Sequence, residues 1–115
     1  MKTNSLGFIG GGRITKIFLQ AFANKKADFK SIVVFDTNAE VLNILKQQFP
    51  EIKVAETVQQ AASQPILFIA LHPPLIMETL DKIADKVSKD AIVVSLAPKI
   101  TLEKISSKLK TKNIV

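Results

Sequence analysis

The chain has 115 residues, of which 47% are hydrophobic and 23% are charged, and its net charge is +6. These values are typical of one folded soluble domain and exclude a disordered chain. The absence of cysteine excludes disulfides and thiolate metal sites, and a single histidine cannot build a histidine-rich site, so we predict no metal. No apolar run is long enough to span a membrane, and the N-terminus lacks the pattern of a secretory signal, so we expect a cytoplasmic protein.

The basic charge raises the question of nucleic acid. The lysines are scattered, with a mild concentration between residues 99 and 112, and no aromatic residues alternate with them. We therefore expect a solvated lysine-rich surface, with polyanion binding as the minor alternative.

Apolar strand-like segments alternate with helical patterns from the first residues onward. Residues 5–9 form a predicted strand, and the helical spacing of apolar residues predicts a helix over 13–25. A β-branched strand at 31–35 precedes a helix at 39–49, which Pro50 ends. A short strand at 52–55 and a short helix at 57–63 complete the first half of the chain.

The second half repeats this alternation. An apolar strand is predicted from Ile66 to Leu71, and Pro73 and Pro74 open a helix whose apolar stripe continues through residues 75–87. A buried strand at 91–98, a helix at 101–109 and the start of a sixth strand at 113–115 follow. We predict a single α/β domain over residues 1–115, a Rossmann-type doubly wound parallel sheet in three α/β/α layers. Its ligands should bind at the carboxyl ends of the strands.

All four glycines lie in one segment, LGFIGGGRIT, at Gly7, Gly10, Gly11 and Gly12, and we assign them to one close-approach turn. Gly10 and Gly12 follow the first strand and open the first helix, which is the context of a dinucleotide-binding turn. The helix N-terminus would offer free N–H groups to a pyrophosphate. Thr15 takes the third motif position, where glycine or alanine is usual, so we expect the helix to lie slightly outward.

Asp36 ends the second strand, where a carboxylate accepts hydrogen bonds from ribose hydroxyls and repels a 2′-phosphate. It therefore favours NAD over NADP. The alternative is that Asp36 only caps the next helix, a role that Asn38 can also fill. For Arg13 a contact with phosphate and a solvated position stay equally open.

Three blocks of sequence resemble the pyrroline-5-carboxylate reductase family, within a wider group of NAD(P)-binding reductases that includes deazaflavin-linked NADP reductases. GFIGGGRIT resembles the opening of that family, ILFIALHPPLI its fourth strand and AIVVSLAPKIT its fifth strand, in the same order and at similar spacing. The resemblance covers essentially the whole chain. It implies binding of NAD or NADP and, in a complete protein, hydride transfer to a cyclic imine in proline biosynthesis.

The resemblance also implies which residues contact the dinucleotide, by their position in these blocks. These cofactor-binding residues are Ile9, Gly10, Gly11, Gly12, Arg13, Ile14, Asp36, Thr37, Thr57, Ala70, Leu71, His72, Pro73, Leu96, Ala97 and Pro98. No catalytic side chain is assigned, because the cofactor carries the hydride and the protein orients it.

The chain departs from the family at several of these positions. Arg13 replaces asparagine, Thr15 replaces alanine, His72 replaces lysine, and Pro98-Lys99 replaces alanine-glycine. For His72, a backbone role in the loop and a side-chain contact with the ligand both stay open.

In the family a helical domain follows the sixth strand, holds the small-molecule substrate and forms a dimer. We expect that domain to be absent from this chain, so that the chain binds a dinucleotide without appreciable turnover of its own. The open alternatives are a regulatory nucleotide-sensing domain of a potassium-transport protein and the cofactor domain of another reductase, such as a β-hydroxyacid dehydrogenase.

Overall fold

In the computed structural model, residues 5–25, 29–71, 73–96, 102–109, 111 and 113–115 are described. Strands and helices alternate strictly along these residues. The strands are β1 (Leu6–Ile9), β2 (Ile32–Phe35), β3 (Lys53–Val54), β4 (Ile66–Ile69), β5 (Ile92–Ser95) and β6 (Asn113–Ile114). The helices are α1 (Arg13–Asn24), α2 (Ala39–Gln48), α3 (Val58–Ala62), α4 (Pro73–Ile83) and α5 (Leu102–Lys108).

All six strands are parallel and form one sheet in the order β3-β2-β1-β4-β5-β6. The N-terminal strand β1 lies at the centre, where Leu6 is aligned with Ile32 on one side and with Ile66 on the other. The chain builds one half of the sheet outward from β1 and then returns past β1 to build the other half. This order is the doubly wound arrangement that the sequence predicts, and the prediction is confirmed.

Helices cover both faces of the sheet, and each face has its own buried core. Leu19 of α1 and Leu45 of α2 pack with the strand residues Phe8 and Val34 on one face. Helices α3, α4 and α5 cover the other face, where their buried side chains contact residues of β1, β2, β4 and β5. The helical members of this second core are Ala61, Ala62, Ile76, Leu80, Ile83 and Ile105.

The central strand is apolar on both faces because both are covered. The burial of Leu6, Phe8 and Ile9 leaves at most 2% of each residue exposed. Phe8 stacks on Phe68 of the neighbouring strand, with ring centroids 4.6 Å apart and an interplanar angle of 8°. These contacts fix the position of the segment that follows β1, which contains the glycine-rich turn.

The helix after β4 ends earlier than the sequence predicts. It begins at Pro73, since proline lacks an N–H and is well suited to the first turn of a helix. It ends at Ile83, whose carbonyl oxygen accepts hydrogen bonds from the amides of Lys86 and Val87. Val87 is nevertheless buried, so a turn returns the last residue of the predicted stripe to the core.

Strands β4 and β5 end earlier than the sequence predicts. β4 ends at Ile69 and not at Leu71, and β5 ends at Ser95 within the predicted span of 91–98. The residues that follow each strand form the edge at which ligands bind in parallel sheets.

Candidate functional site

The carboxyl edge of the sheet brings together the segments that follow β1, β2, β4 and β5. The amide of Gly10 donates to the carbonyl oxygen of Phe35, 2.7 Å away, and the amide of Ala70 donates to Ile9 at 2.9 Å. The amide of Leu96 donates to Ile69, also at 2.9 Å. The strand order reverses between β1 and β4, so a crevice for a ligand is expected beside Gly10 and Ala70.

Gly10 makes the turn between β1 and α1 sterically possible. Its φ angle is +106°, in the region that side chains rarely allow, and a Cβ atom there would lie 2.3 Å from the carbonyl oxygen of Ala70. The tight-turn role predicted for Gly10 is therefore confirmed.

The other three glycines have different surroundings. A Cβ atom on Gly12 would meet no described heavy atom within 4 Å, so the space in front of the α1 N-terminus is open. A Cβ atom on Gly11 would lie 3.0 Å from side-chain atoms of both Val41 and Leu45 on α2.

Gly7 does not belong to the turn, and its assignment there is wrong. It lies within β1, and a Cβ atom on it would lie 2.1 Å from the carbonyl oxygen of Ala61. Its role is to let α3 pack directly on the central strand. The sequence could not show this, because Ala61 is distant in the chain and reaches Gly7 only through the fold.

The N-terminus of α1 differs from those of its neighbours. Helix α2 is capped by the side chain of Asn38, which accepts hydrogen bonds from two amides, and α3 is capped by Thr57. Helix α1 begins after Gly12 with no side-chain cap and with no acidic residue in its first turn. Its first amides therefore point into open space with the positive end of the helix dipole, which is an arrangement suited to an anion.

Asp36 lies directly beside this turn and is half-buried. Its Oδ2 accepts a hydrogen bond from the amide of Gly11 at 2.7 Å, and its Oδ1 accepts one from the amide of Asn38 at 2.8 Å. Asn38, and not Asp36, caps α2, so the interpretation of Asp36 as only a helix cap is wrong. Each carboxylate oxygen has further acceptor capacity.

Arg13 and Ile14 form the exposed start of α1. Ile14 is 43% exposed, and Arg13 has no ion-pair partner among the described residues. Both residues are therefore accessible to a ligand at the start of α1. Thr37 is likewise exposed, in the turn that joins β2 to α2.

The remaining predicted contacts lie at the other strand ends. Thr57 is exposed, and its Oγ1 accepts a hydrogen bond from the amide of Gln60 at 3.3 Å. Ala70, Leu71 and Leu96 are half-buried, and Leu71 packs against the core on the α3–α5 face. Pro73 begins α4. The predictions for His72, Ala97 and Pro98 lie outside the described residues.

One contact at the turn was missed by sequence reasoning. Thr15 is fully buried, and its hydroxyl donates a hydrogen bond to the carbonyl oxygen of Gly10. The hydroxyl-bearing residue in place of glycine or alanine was visible in the sequence, but its partner depends on the conformation of Gly10. Within the described residues, there is no group of three metal-ligating side chains, and no helix is long and apolar enough to span a membrane.

Comparison with known proteins places this fold in a family of oxidoreductases. Residues 5–99 match the family described as NADP oxidoreductase coenzyme F420-dependent. The pyrroline-5-carboxylate reductase of Escherichia coli is 31% identical over 106 residues, which are 90% of this chain and 39% of that protein. The chain thus spans well under half the length of this curated relative.

Two solved structures show the same fold at low sequence identity. Prephenate dehydrogenase from A. aeolicus, in complex with hydroxyphenyl propionate and NAD+, superposes with a TM-score of 0.82 at 12% identity, over 99% of this chain and 41% of that one. Pyrroline carboxylate reductase from Plasmodium falciparum, with NADP bound, gives 0.78 at 16% identity over the same shares of the two chains. The chain therefore belongs to the NADP oxidoreductase coenzyme F420-dependent family, with the NAD(P)-binding Rossmann domain of pyrroline-5-carboxylate reductase-like proteins.

Proposed function

We propose that this chain binds NADH or NADPH along the carboxyl edge of its sheet. The observation that carries the proposal is the uncapped N-terminus of α1, which opens into free space at Gly12 beside the carboxylate of Asp36. The pyrophosphate lies at the first amides of α1, with Arg13 and Ile14 flanking it. The family assignment favours this function over that of a regulatory nucleotide sensor.

The two halves of the dinucleotide lie on opposite sides of β1. The adenosine ribose contacts Asp36 and Thr37, at the end of β2. The nicotinamide half extends past the ends of β4 and β5, on the side of the crevice that lies away from Asp36. The residues proposed to contact it or the adjacent linkage are Ala70, Leu71, His72, Pro73, Leu96, Ala97 and Pro98. Thr57, which follows β3, is proposed to contact the dinucleotide on the adenosine side.

We further propose a preference for NADH. Asp36 receives hydrogen bonds from two backbone amides, which hold its carboxylate at the end of β2, the position proposed for the adenosine ribose. At an effective dielectric constant of about 20, two like unit charges about 4 Å apart repel by roughly 4 kcal/mol before solvent screening. The ribose 2′-hydroxyl of NADH avoids this repulsion and donates a hydrogen bond to the carboxylate instead.

The proposed reaction of the complete protein is reduction in the cytoplasm of a cyclic imine such as pyrroline-5-carboxylate, which yields proline. A bound nicotinamide supplies the hydride in this chemistry, and the residues of this chain bind and orient the cofactor. The substrate-binding groups and the dimer contacts come from a helical domain outside these residues. The chain spans 39% of its Escherichia coli relative, which supports the proposal that cofactor binding and substrate binding belong to separate domains.

The surface of the sheet also supports a further domain. Helices α1 and α2 pack over strands β1 to β4, while β5 and β6 lie beyond them on that face. Ile92 of β5 is 42% exposed there, and Val115 beyond β6 is 67% exposed. An apolar strand surface is ordinarily covered by another layer.

The direct test is isothermal titration of the folded protein with NADH and NADPH. Gly12→Val should abolish binding, because a branched side chain would fill the open space at the α1 N-terminus. Ala23→Val adds a similar side chain to an exposed position at the other end of α1 and should bind normally. If Gly12→Val binds as tightly as the wild type, the cofactor does not lie at this turn.

A further inference from the structure

The peptide that joins Gly10 to Gly11 is held from both sides by side chains. Its N–H, which belongs to Gly11, donates to Asp36 Oδ2 at 2.7 Å. Its carbonyl oxygen, which belongs to Gly10, accepts a hydrogen bond from the hydroxyl of Thr15. In a trans peptide these two groups point in opposite directions, so the two bonds together define the orientation of the peptide plane.

The surroundings of this peptide restrict its position but not its rotation. Gly10 lies against the carbonyl oxygen of Ala70, and Gly11 lies against Val41 and Leu45 of α2. Neither contact specifies which way the carbonyl points, because both involve the α-carbons of glycines. A glycine-glycine peptide has more rotational freedom than any other, so the hydrogen bonds must provide the missing constraint.

The orientation of this peptide determines where the next amides point. The amides of Gly12, Arg13 and Ile14 follow directly and form the uncapped start of α1. A preorganised anion site has a lower entropic cost of binding than a site that must first be ordered. Thr15 stands on the first turn of the same helix and connects that turn back to the peptide.

We infer that Thr15 is a positioning residue for the dinucleotide: its hydroxyl, opposite the carboxylate of Asp36, fixes the Gly10–Gly11 peptide in the orientation that binding requires. This inference rests on the proposed function. Glycine or alanine at this position would let α1 pack closely on the sheet, and Thr15 instead contributes a hydrogen bond to the turn. A threonine hydroxyl that is fully buried, with its donor satisfied by one carbonyl oxygen, is suited to that role.

A second buried threonine provides a matched control. Thr111 is 1% exposed, and its hydroxyl donates to the carbonyl oxygen of Ala91 and accepts from the amide of Asn113. Ala91 precedes β5 and so lies at the amino edge of the sheet, opposite the candidate site. Thr111→Val therefore removes a comparable buried hydrogen bond without touching the turn.

The experiment compares Thr15→Val, Thr15→Ser and Thr111→Val by NADH titration, chemical denaturation and amide hydrogen exchange. Thr15→Val should weaken NADH binding about tenfold and speed the exchange of the Gly11 amide by a similar factor, since it leaves a buried carbonyl oxygen without its donor. Thr15→Ser keeps the hydroxyl and should restore both properties. Thr111→Val should lower stability like Thr15→Val but leave NADH affinity and Gly11 exchange unchanged.

Equal NADH affinities of the two valine variants would overturn the inference, since Thr15 would then act on stability alone. If Thr15→Val does not fold, Thr15→Ala replaces it with the same expected increase in Gly11 exchange. If the wild type binds neither NADH nor NADPH, the proposed function is wrong, and Gly11 exchange then tests only whether the Thr15 hydroxyl fixes the Gly10–Gly11 peptide. Unchanged exchange in the hydroxyl-free variant would then refute it, and faster exchange would support it.

Discussion

Asp36 organises the backbone beside the glycine-rich turn and is also the residue proposed to contact the adenosine ribose. Its two carboxylate oxygens accept hydrogen bonds from the amides of Gly11 and Asn38, and the half-buried carboxylate retains acceptor capacity for the proposed ribose contact. A substitution here therefore changes both the local backbone and the charge offered to the cofactor. Separating these effects requires a small side chain that can still accept a hydrogen bond.

Asp36→Ser should narrow or reverse the proposed preference for NADH, chiefly by improving NADPH binding. The substitution removes the negative charge that repels a 2′-phosphate and keeps one oxygen near the Gly11 amide. Titration with both cofactors gives the affinity ratio. Glu40→Ser removes an equivalent charge from the exposed first turn of α2 and should leave the ratio unaltered. A wild type that prefers NADPH, with a ratio that Asp36→Ser does not change, would show that Asp36 points away from the ribose.

At the scale of elements, the contact between β1 and α3 is the tightest that the glycines create. The Cα of Gly7 faces the backbone of Ala61, and both Ala61 and Ala62 are fully buried. Small residues on both partners let the short helix lie directly on the central strand. This close approach leaves no room for an added methyl group.

Gly7→Ala should therefore lower the free energy of unfolding by about 1–3 kcal/mol, the usual cost of overpacking a core. The added Cβ would lie 2.1 Å from a backbone oxygen, so α3 must move as a unit. Urea denaturation measures the change. Gly12→Ala places the same methyl group in open space and should cost less than about 1 kcal/mol, as expected for alanine at a helix N-cap. Equal stabilities of the two variants would mean that α3 can move away from β1 without a measurable loss of stability.

Sequence patterns predicted most elements because the apolar segments of a parallel sheet are distinctive. The run at residues 66–71 and the β-branched run at 31–35 both became central strands. What the patterns could not provide is the partner of each small or polar side chain. Gly7 opposite Ala61 and Thr15 opposite Gly10 depend on packing and on turn geometry, which are properties of the folded chain.

At the scale of the whole molecule, the chain provides the cofactor-binding side of the proposed reductase site. The described strand ends offer backbone amides, a carboxylate and half-buried apolar side chains to a dinucleotide. Reduction of a small imine also needs groups that hold the substrate against the cofactor. In the proposed arrangement these groups belong to a separate helical domain.

The 115 residues alone should therefore show negligible reduction of pyrroline-5-carboxylate, even at cofactor concentrations that saturate binding. The assay follows NADH oxidation at 340 nm with and without the substrate, and calorimetric titration of the same sample verifies that the cofactor binds. A complete pyrroline-5-carboxylate reductase serves as the positive control. Turnover near that of the complete enzyme would show that the strand-end segments hold the substrate by themselves.

The central place of the first strand also governs how the protein folds. β1 pairs with β2 after a short crossover, but its pairing with β4 joins segments more than twice as far apart in the chain. Closing that longer loop costs more entropy and delays the pairing, so the half-sheet of β1, β2 and β3 is expected to assemble first. Gly10 contacts Ala70 only after β4 has docked, and the crevice between them is thus completed late in folding.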